Sequence, residues 1–192
     1  MVSVALLAAA AFLSADERSS KRDADLLKQK VATITAFRGR PSNQIRRTSV
    51  TESEVNAYLG YDGRSQLPAG VVDPAVSILG TGRLSGRAVV DLDAVRRAKA
   101  SQSWFDPRNY LTGKLPVTAT GRLQTSKGVG RFELEAASVG GVPVPKLLLQ
   151  EIVSYYSRTA QNPAGINLDD PFALPARIRE IQVERGQAII VQ

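Results

Sequence analysis

Gly80-Thr-Gly-Arg-Leu-Ser-Gly-Arg-Ala-Val-Val-Asp-Leu92 (GTGRLSGRAVVDL) alternates small or apolar residues at Leu84, Gly86, Ala88, Val90 and Leu92 with Arg83, Ser85, Arg87 and Asp91. A period of two over this length is the signature of a strand with one wet face. Val76 and Ile78 keep the same alternation ahead of Gly80-Thr-Gly82, so the region reads as an antiparallel hairpin. The plan then repeats. Val117, Ala119, Gly121 and Leu123 share one face with Thr118, Thr120 and Arg122 on the other, Ser126-Lys-Gly128 turns, and Phe132, Leu134 and Ala136 oppose Arg131, Glu133 and Glu135. The inward face is poor in bulk at Gly86, Ala88, Ala119, Gly121 and Ala136. Protein interiors are close-packed, so something else must fill that space.

Two later segments are candidates for the filling. Pro145 to Thr159 (PKLLLQEIVSYYSRT) opens on proline, which suits a first helical turn, and sets Leu148, Ile152 and Tyr155 beside Leu149, Val153 and Tyr156. A helix apolar over more than half its circumference is expected to lie against the sheet. Ala176 to Val191 predicts a closing hairpin that turns at Arg185-Gly186, with a bulge where the alternation slips near Glu180. Upstream, Thr51-Glu-Ser-Glu54 is a capping box, in which the Thr51 hydroxyl and Glu54 carboxylate satisfy amides at a helix start. That helix is expected to reach Leu59 and to bury Val55, Tyr58 and Leu59. The fold class that follows is α+β, a long curved antiparallel sheet of about six strands wrapped on a C-terminal helix.

The N-terminal quarter reads differently. Val2 to Leu13 is almost wholly apolar and is followed by Ser14, Ala15 and the charged Asp16-Glu-Arg18. The run is shorter than the ~20 residues that span a bilayer and has the length of a signal-peptide core, so residues 1–15 are expected to be a signal peptide or an N-terminal anchor. Residues 16–50 hold nine Lys/Arg against four Asp/Glu, while residues 51–192 hold sixteen against fourteen. The net charge of +7 therefore resides mostly in a basic arm, made of an amphipathic helix (Lys21 to Thr35) and a Gly/Pro-broken connector (Phe37 to Arg47). Residues 51–192 are expected to form the curved-sheet domain. A basic arm beside an apolar leader fits an anionic membrane surface better than a nucleic-acid groove.

Composition removes much chemistry. The 192 residues contain neither cysteine nor histidine, which excludes disulfides, thiolate and imidazole metal ligands, and mechanisms with a Cys nucleophile or a His base. With 43% hydrophobic and 22% charged residues the chain can build a core. Aromatics are only 6%, too few for a base-stacking platform, so no nucleic-acid partner is expected. Asp91/Asp93 and Glu133/Glu135 read as solvated strand faces, Asp169-Asp170-Pro171 as a turn, and Gly80-Thr-Gly82 and Gly128-Val-Gly130 as turns that open no helix. Ser85, Ser138 and Ser154 lack a base. No catalytic residue, metal or cofactor is expected, and the protein is read as not an enzyme.

The order of a capped TESEVNAYL helix, a meander with small inward residues, a PKLLLQEIVSYY helix and a closing IREIQVERGQAIIVQ strand pair resembles the tubular lipid-binding superfamily that includes bactericidal/permeability-increasing protein. It is most similar to the single-module bacterial envelope members, over about Thr51 to Gln192, although its tight turns leave room for only a shallow groove or none. The resemblance implies a sheet wrapped on a helix around an apolar groove for acyl chains. The lining residues are then Val76, Ile78, Leu84, Ala88, Val90, Val117, Ala119, Leu123, Phe132 and Leu134 from the sheet, with Leu148, Ile152 and Tyr155 from the helix. Arg38, Arg40, Arg46 and Arg47 of the arm, together with Trp104, Phe105 and Arg108 of an aromatic and cationic loop, are expected to meet the membrane, the alternative for Trp104 and Phe105 being that they cap one end of the core. The expected function is a periplasmic, envelope-associated module, exported from the cytoplasm, that holds or ferries a lipid or other hydrophobic small molecule. The alternative is a non-catalytic, membrane-tethered adaptor with a closed core that binds another envelope protein.

Overall fold

A computed structural model describes residues 21–37, 44–63, 67–98, 112–158 and 162–192. The protein is α+β, with a six-stranded antiparallel sheet, a three-stranded sheet and few helices. The large sheet has the order β2 (Val71–Gly80), β3 (Arg83–Asp91), β4 (Lys114–Ser126), β5 (Val129–Val139), β6 (Val142–Pro143), and β7 (Phe172–Ala173) also pairs with β5. Its tight hairpins follow from the turn residues. Thr81-Gly82 and Lys127-Gly128 both take left-handed backbone at their two positions (φ 55° and 79°, 50° and 82°), the geometry whose twist matches that of paired strands.

The sheet is open and uncurled, and does not close around a helix. Its six strands are also not the six read from the sequence, because the terminal hairpin, β8 (Glu180–Glu184) and β9 (Gln187–Val191), joins β1 (Arg47–Thr51) in the separate order β1-β9-β8. The β8–β9 register is continuous. The slip read as a bulge near Glu180 is instead the start of β8, just after left-handed backbone at Ala176 and Arg177 (φ 53° and 59°).

The small sheet caps the hairpin end of the large one. The Gly82 N–H donates to the Val183 carbonyl (3.3 Å) and the Gly128 N–H to the Arg179 carbonyl (2.9 Å), while Leu79 bridges to Arg185. Thr125 Oγ1 donates to the Ile181 carbonyl (3.1 Å) and accepts from the Ile181 N–H (2.8 Å).

Thr51 ends β1 and caps α2 (Glu52–Tyr61) with both halves of the expected capping box. The buried face of α2 is Glu54 and Ala57, with Val55, Tyr58 and Leu59 only half-buried. Glu54, at 6% exposure, is retained inside because its carboxylate accepts the Thr51 N–H (3.0 Å) and both of its oxygens take Lys30 Nζ (2.6 and 2.7 Å). Lys30 belongs to helix α1 (21–36), whose Ala24, Leu27 and Ile34 are buried. Ile34 forms a core with Leu174 and Ile178, on which Ile181 and Ile190 pack. Helix α1 and strand β1 of the basic arm are thus built into the same body as the two sheets, because an amphipathic helix of this length is stable only where its apolar face is covered.

Two local readings change. Strand β3 ends at Asp91, and Leu92, expected in the strand, opens α3 (Leu92–Ala98), where Asp91 Oδ1 accepts the Ala94 N–H (2.9 Å). In β5 the register shifts after Thr120, which pairs with Ala136, while Gly121 pairs with Leu134. The residue between them, Glu135, is the bulge, and it turns Ala136 to the wet face and Ala137 to the apolar one. Arg83 (2.8 Å) and Arg122 (3.7 Å) both reach the bulged Glu135.

Candidate functional site

The strand registers stack the apolar positions of β2 to β5 into rows across one face. Ile78, Leu84, Gly121 and Leu134 form one row, Val76, Gly86, Ala119 and Ala137 the next, then Ala88, Val117 and Val139, and last Val90 and Leu115. The ten sheet residues expected to line a groove therefore share a single face, with Leu123 paired to Phe132 at its hairpin end. Of the thirteen residues in these four rows only Ile78, Gly121 and Ala137 are buried, and the others are half-buried. No large side chain among the described residues is fully buried.

The second row is the shallowest. A Cβ built on Gly86 meets nothing within 4 Å. Gly121 is different, since a Cβ there would lie 2.5 Å from the Glu133 carbonyl oxygen and hard against the edge of the Phe132 ring. Phe132 therefore fills the gap at Gly121, and the room left by small residues narrows to a trough around Gly86 and Ala119. Ala136 contributes nothing to it.

One rim is built by side chains replacing strand partners. On the β2 edge, Asn56 of α2 donates to the Val76 carbonyl (2.8 Å) and accepts the Val76 N–H (2.7 Å), and Glu52 accepts the Ile78 N–H (2.6 Å). Backbone groups at a sheet edge need such partners or water.

On the β5 side stands α4 (Lys146–Ser157), bound to the loop 162–171. Gln150 Oε1 accepts the Leu168 N–H (2.7 Å), Ser154 Oγ donates to the Ile166 carbonyl (3.1 Å), and Ser157 Oγ accepts the Ile166 N–H (2.6 Å). These polar contacts set the rotation of the helix. Leu149 and Val153 are half-buried, whereas Leu148 is 48% exposed and Leu147 75%, so Leu148 does not fill the sheet face as expected. Ile152 and Tyr155 lie on α4, with side chains outside the described part of the structure.

Beside β5, a hollow of 610 Å³ is lined by Phe132, Ile166, Leu168 and Phe172, among others. Next to it a 360 Å³ hollow is lined by Gln124, Arg131, Phe132, Glu133, Lys146 and Asp169. Lys146 Nζ holds Asp169 at 2.5 Å. Sequence reasoning missed both hollows, since nothing local pairs Lys146 with a carboxylate 23 residues away.

Arg46 stacks over Phe37 (5.9 Å) and pairs by backbone with Gln192, while Arg47 is exposed. Arg38, Arg40, Trp104, Phe105 and Arg108 lie outside the described residues. Asp169-Asp170 is a turn, with Asn167 Oδ1 accepting the Asp169 N–H (3.1 Å) and Asn167 Nδ2 donating to Asp170 (3.0 Å). Gly130 is not in a turn but within β5, under the Phe172 ring.

Fold and site together define an α+β protein that presents a half-open apolar sheet face between two helical rims. No family model matches the chain, and no curated protein matches it. Among solved structures it is similar to one described as the crystal structure of lipopolysaccharide binding protein, with 15% identity and a TM-score of 0.23, over 76% of this chain and 40% of that one. The chain thus spans less than half of that structure, and a likeness at this level specifies neither the fold nor a ligand.

Proposed function

We propose that the protein is a non-catalytic module that binds a lipid or other hydrophobic small molecule on the apolar face of its large sheet. The trough at Gly86 carries this reading, because a row of Val76, Gly86, Ala119 and Ala137 leaves apolar surface in reach of a chain-like ligand. Each methylene moved from water into the trough contributes ~0.8 kcal/mol. An acyl chain lying along the row needs no polar partner from the protein. This agrees with the absence of cysteine and histidine from the chain.

The compartment belongs to the same proposal: residues 1–15 act as an export signal or anchor, and the module works in the bacterial envelope beside an anionic membrane. The test is organic-solvent extraction of the protein purified from a bacterial host, read by mass spectrometry. Co-purifying lipid that disappears from Gly86→Leu supports the reading. A parent protein with no lipid, which also takes up no added acyl chain, favours the adaptor that binds another envelope protein.

A further inference from the structure

Another hollow, of 560 Å³, opens at the free edge of β2 beside the last turn of α2. Leu67, Val71, Val72 and Pro74 give it apolar walls, and Asp73 and Arg87 are the charged residues among the described ones that line it. Its shape follows from a break in the ladder. Val72 pairs with Val89 and Ala75 with Arg87, so Asp73 and Pro74 together oppose Ala88 in a bulge. Proline has no N–H for a ladder and is tolerated at such a place on an edge strand. Asp73 takes left-handed backbone there (φ 49°), although a residue ahead of proline favours extended backbone. Backbone held off its preferred region clusters where side chains are placed for binding. Neither charge is engaged within the protein: Asp73 and Arg87 make no ion pair or side-chain hydrogen bond with each other or with any described residue. The carboxylates of the adjoining helix are all engaged. Glu52 accepts the Ile78 N–H (2.6 Å), Glu54 takes Lys30 (2.6 Å), and Asp62 at the helix end takes Lys28 (3.6 Å). The volume falls in the ~300–1,000 Å³ range of small-molecule sites.

We propose that this hollow binds a small zwitterion with an apolar side chain, a free aliphatic α-amino acid or its dipeptide, with the carboxylate on the Arg87 guanidinium and the ammonium on Asp73. A guanidinium holds a carboxylate through two parallel N–H donors, and a carboxylate accepts from an ammonium in the same charge-assisted way. A simple anion would bring a second negative charge to Asp73, and a simple cation a second positive charge to Arg87. An uncharged apolar molecule would take both side chains out of water without giving either a partner. A ligand with both signs meets each with its opposite, and the apolar walls cover its side chain. The last turn of α2 contributes Gly60 and holds no basic residue, so the negative end of the helix adds to the pull of Asp73 on the ammonium. Arg87 and Gly86 are successive strand residues on opposite faces of β3, so this site is separate from the trough and does not rest on the lipid reading.

The test is NMR titration of the isotope-labelled full chain with leucine and with leucyl-leucine, with N-acetyl-leucine and leucine amide as arms that each lack one charge. The better of the two zwitterions is expected to shift the amides of Val72, Asp73, Ala75 and Arg87, saturating by ~10 mM. Tighter binding by leucyl-leucine assigns the dipeptide, and tighter binding by leucine the free amino acid. Arg87→Gln and Asp73→Asn, the latter keeping a residue that tolerates left-handed backbone, are each expected to weaken binding about tenfold to a hundredfold, the scale of a lost charge-assisted hydrogen bond. Removing either charge from the ligand should weaken it by a similar factor. The proposal is overturned by N-acetyl-leucine or leucine amide binding as tightly as the better zwitterion, or by unchanged binding in either variant. Shifts that map away from the β2 edge, or no shift with either zwitterion, overturn it as well.

Discussion

Gly86 and Gly121 are neighbours on adjacent rows of the same face, and the structure assigns them opposite responses to a side chain. At Gly121 a new Cβ lies 2.5 Å from the Glu133 carbonyl, which is held in the β4–β5 ladder, and 2.8 Å from Phe132 Cε1. The ring can rotate away, but the backbone oxygen moves only with its strand. Overpacking of this kind costs ~1 to 3 kcal/mol. For a chain of this size each kcal/mol shifts Tm by ~2 to 4 °C, so Gly121→Ala is expected to melt about 2 to 12 °C below the parent.

At Gly86 no atom lies within 4 Å of the added carbon. Glycine inside a strand is less stable than alanine by ~0.5 to 1 kcal/mol, so Gly86→Ala should raise Tm by about 1 to 4 °C, and Gly86→Leu should fold as well as the parent. Differential scanning calorimetry of delipidated protein reads both changes. A Gly86→Leu variant destabilised as much as Gly121→Ala would mean that the face is covered at Gly86, against the open space around its Cβ position. An unshifted Gly121→Ala would mean that Phe132 does not fill the gap.

Four further outcomes can be measured. Asn56→Ala removes both partners of Val76 at the sheet edge and should lower stability by ~1 to 3 kcal/mol in urea unfolding, with hydrogen exchange at Val76 accelerated first. Thr51→Ala deletes half of the capping box and should cost ~0.5 to 2 kcal/mol, whereas Glu54→Ala should cost more because Lys30 then loses the carboxylate that both of its bonds reach. Expression with the native leader in a bacterium should give a mature chain starting near Asp16 by N-terminal sequencing, and an intact chain in the cytoplasm would remove the envelope proposal. Replacing Arg46 and Arg47 by glutamine should weaken sedimentation with anionic vesicles by ~1 kcal/mol per charge at low salt, and the difference should vanish as salt rises.

The strands of the meander, their turns and the shared face of Val76 to Leu134 were legible because a period of two and the Thr81-Gly82 and Lys127-Gly128 turns are local properties of the chain. The capping box of α2 was legible for the same reason, since its partners are three residues apart. Other features depend on residues far apart in sequence. Strand β1 exists because β9 offers it a ladder across some 140 positions, and nothing in Arg47 to Thr51 announces that partner. The bulge at Glu135 moves Ala137 inward in place of Ala136, a one-residue slip that β4 decides and β5 alone does not. The rotation of α4, and with it the exposure of Leu148, is set by bonds from Gln150, Ser154 and Ser157 to a loop that follows the helix. Periodicity thus determined which residues are apolar together. Only tertiary contact decided which of them are covered, because burial depends on what another part of the chain brings to the same surface.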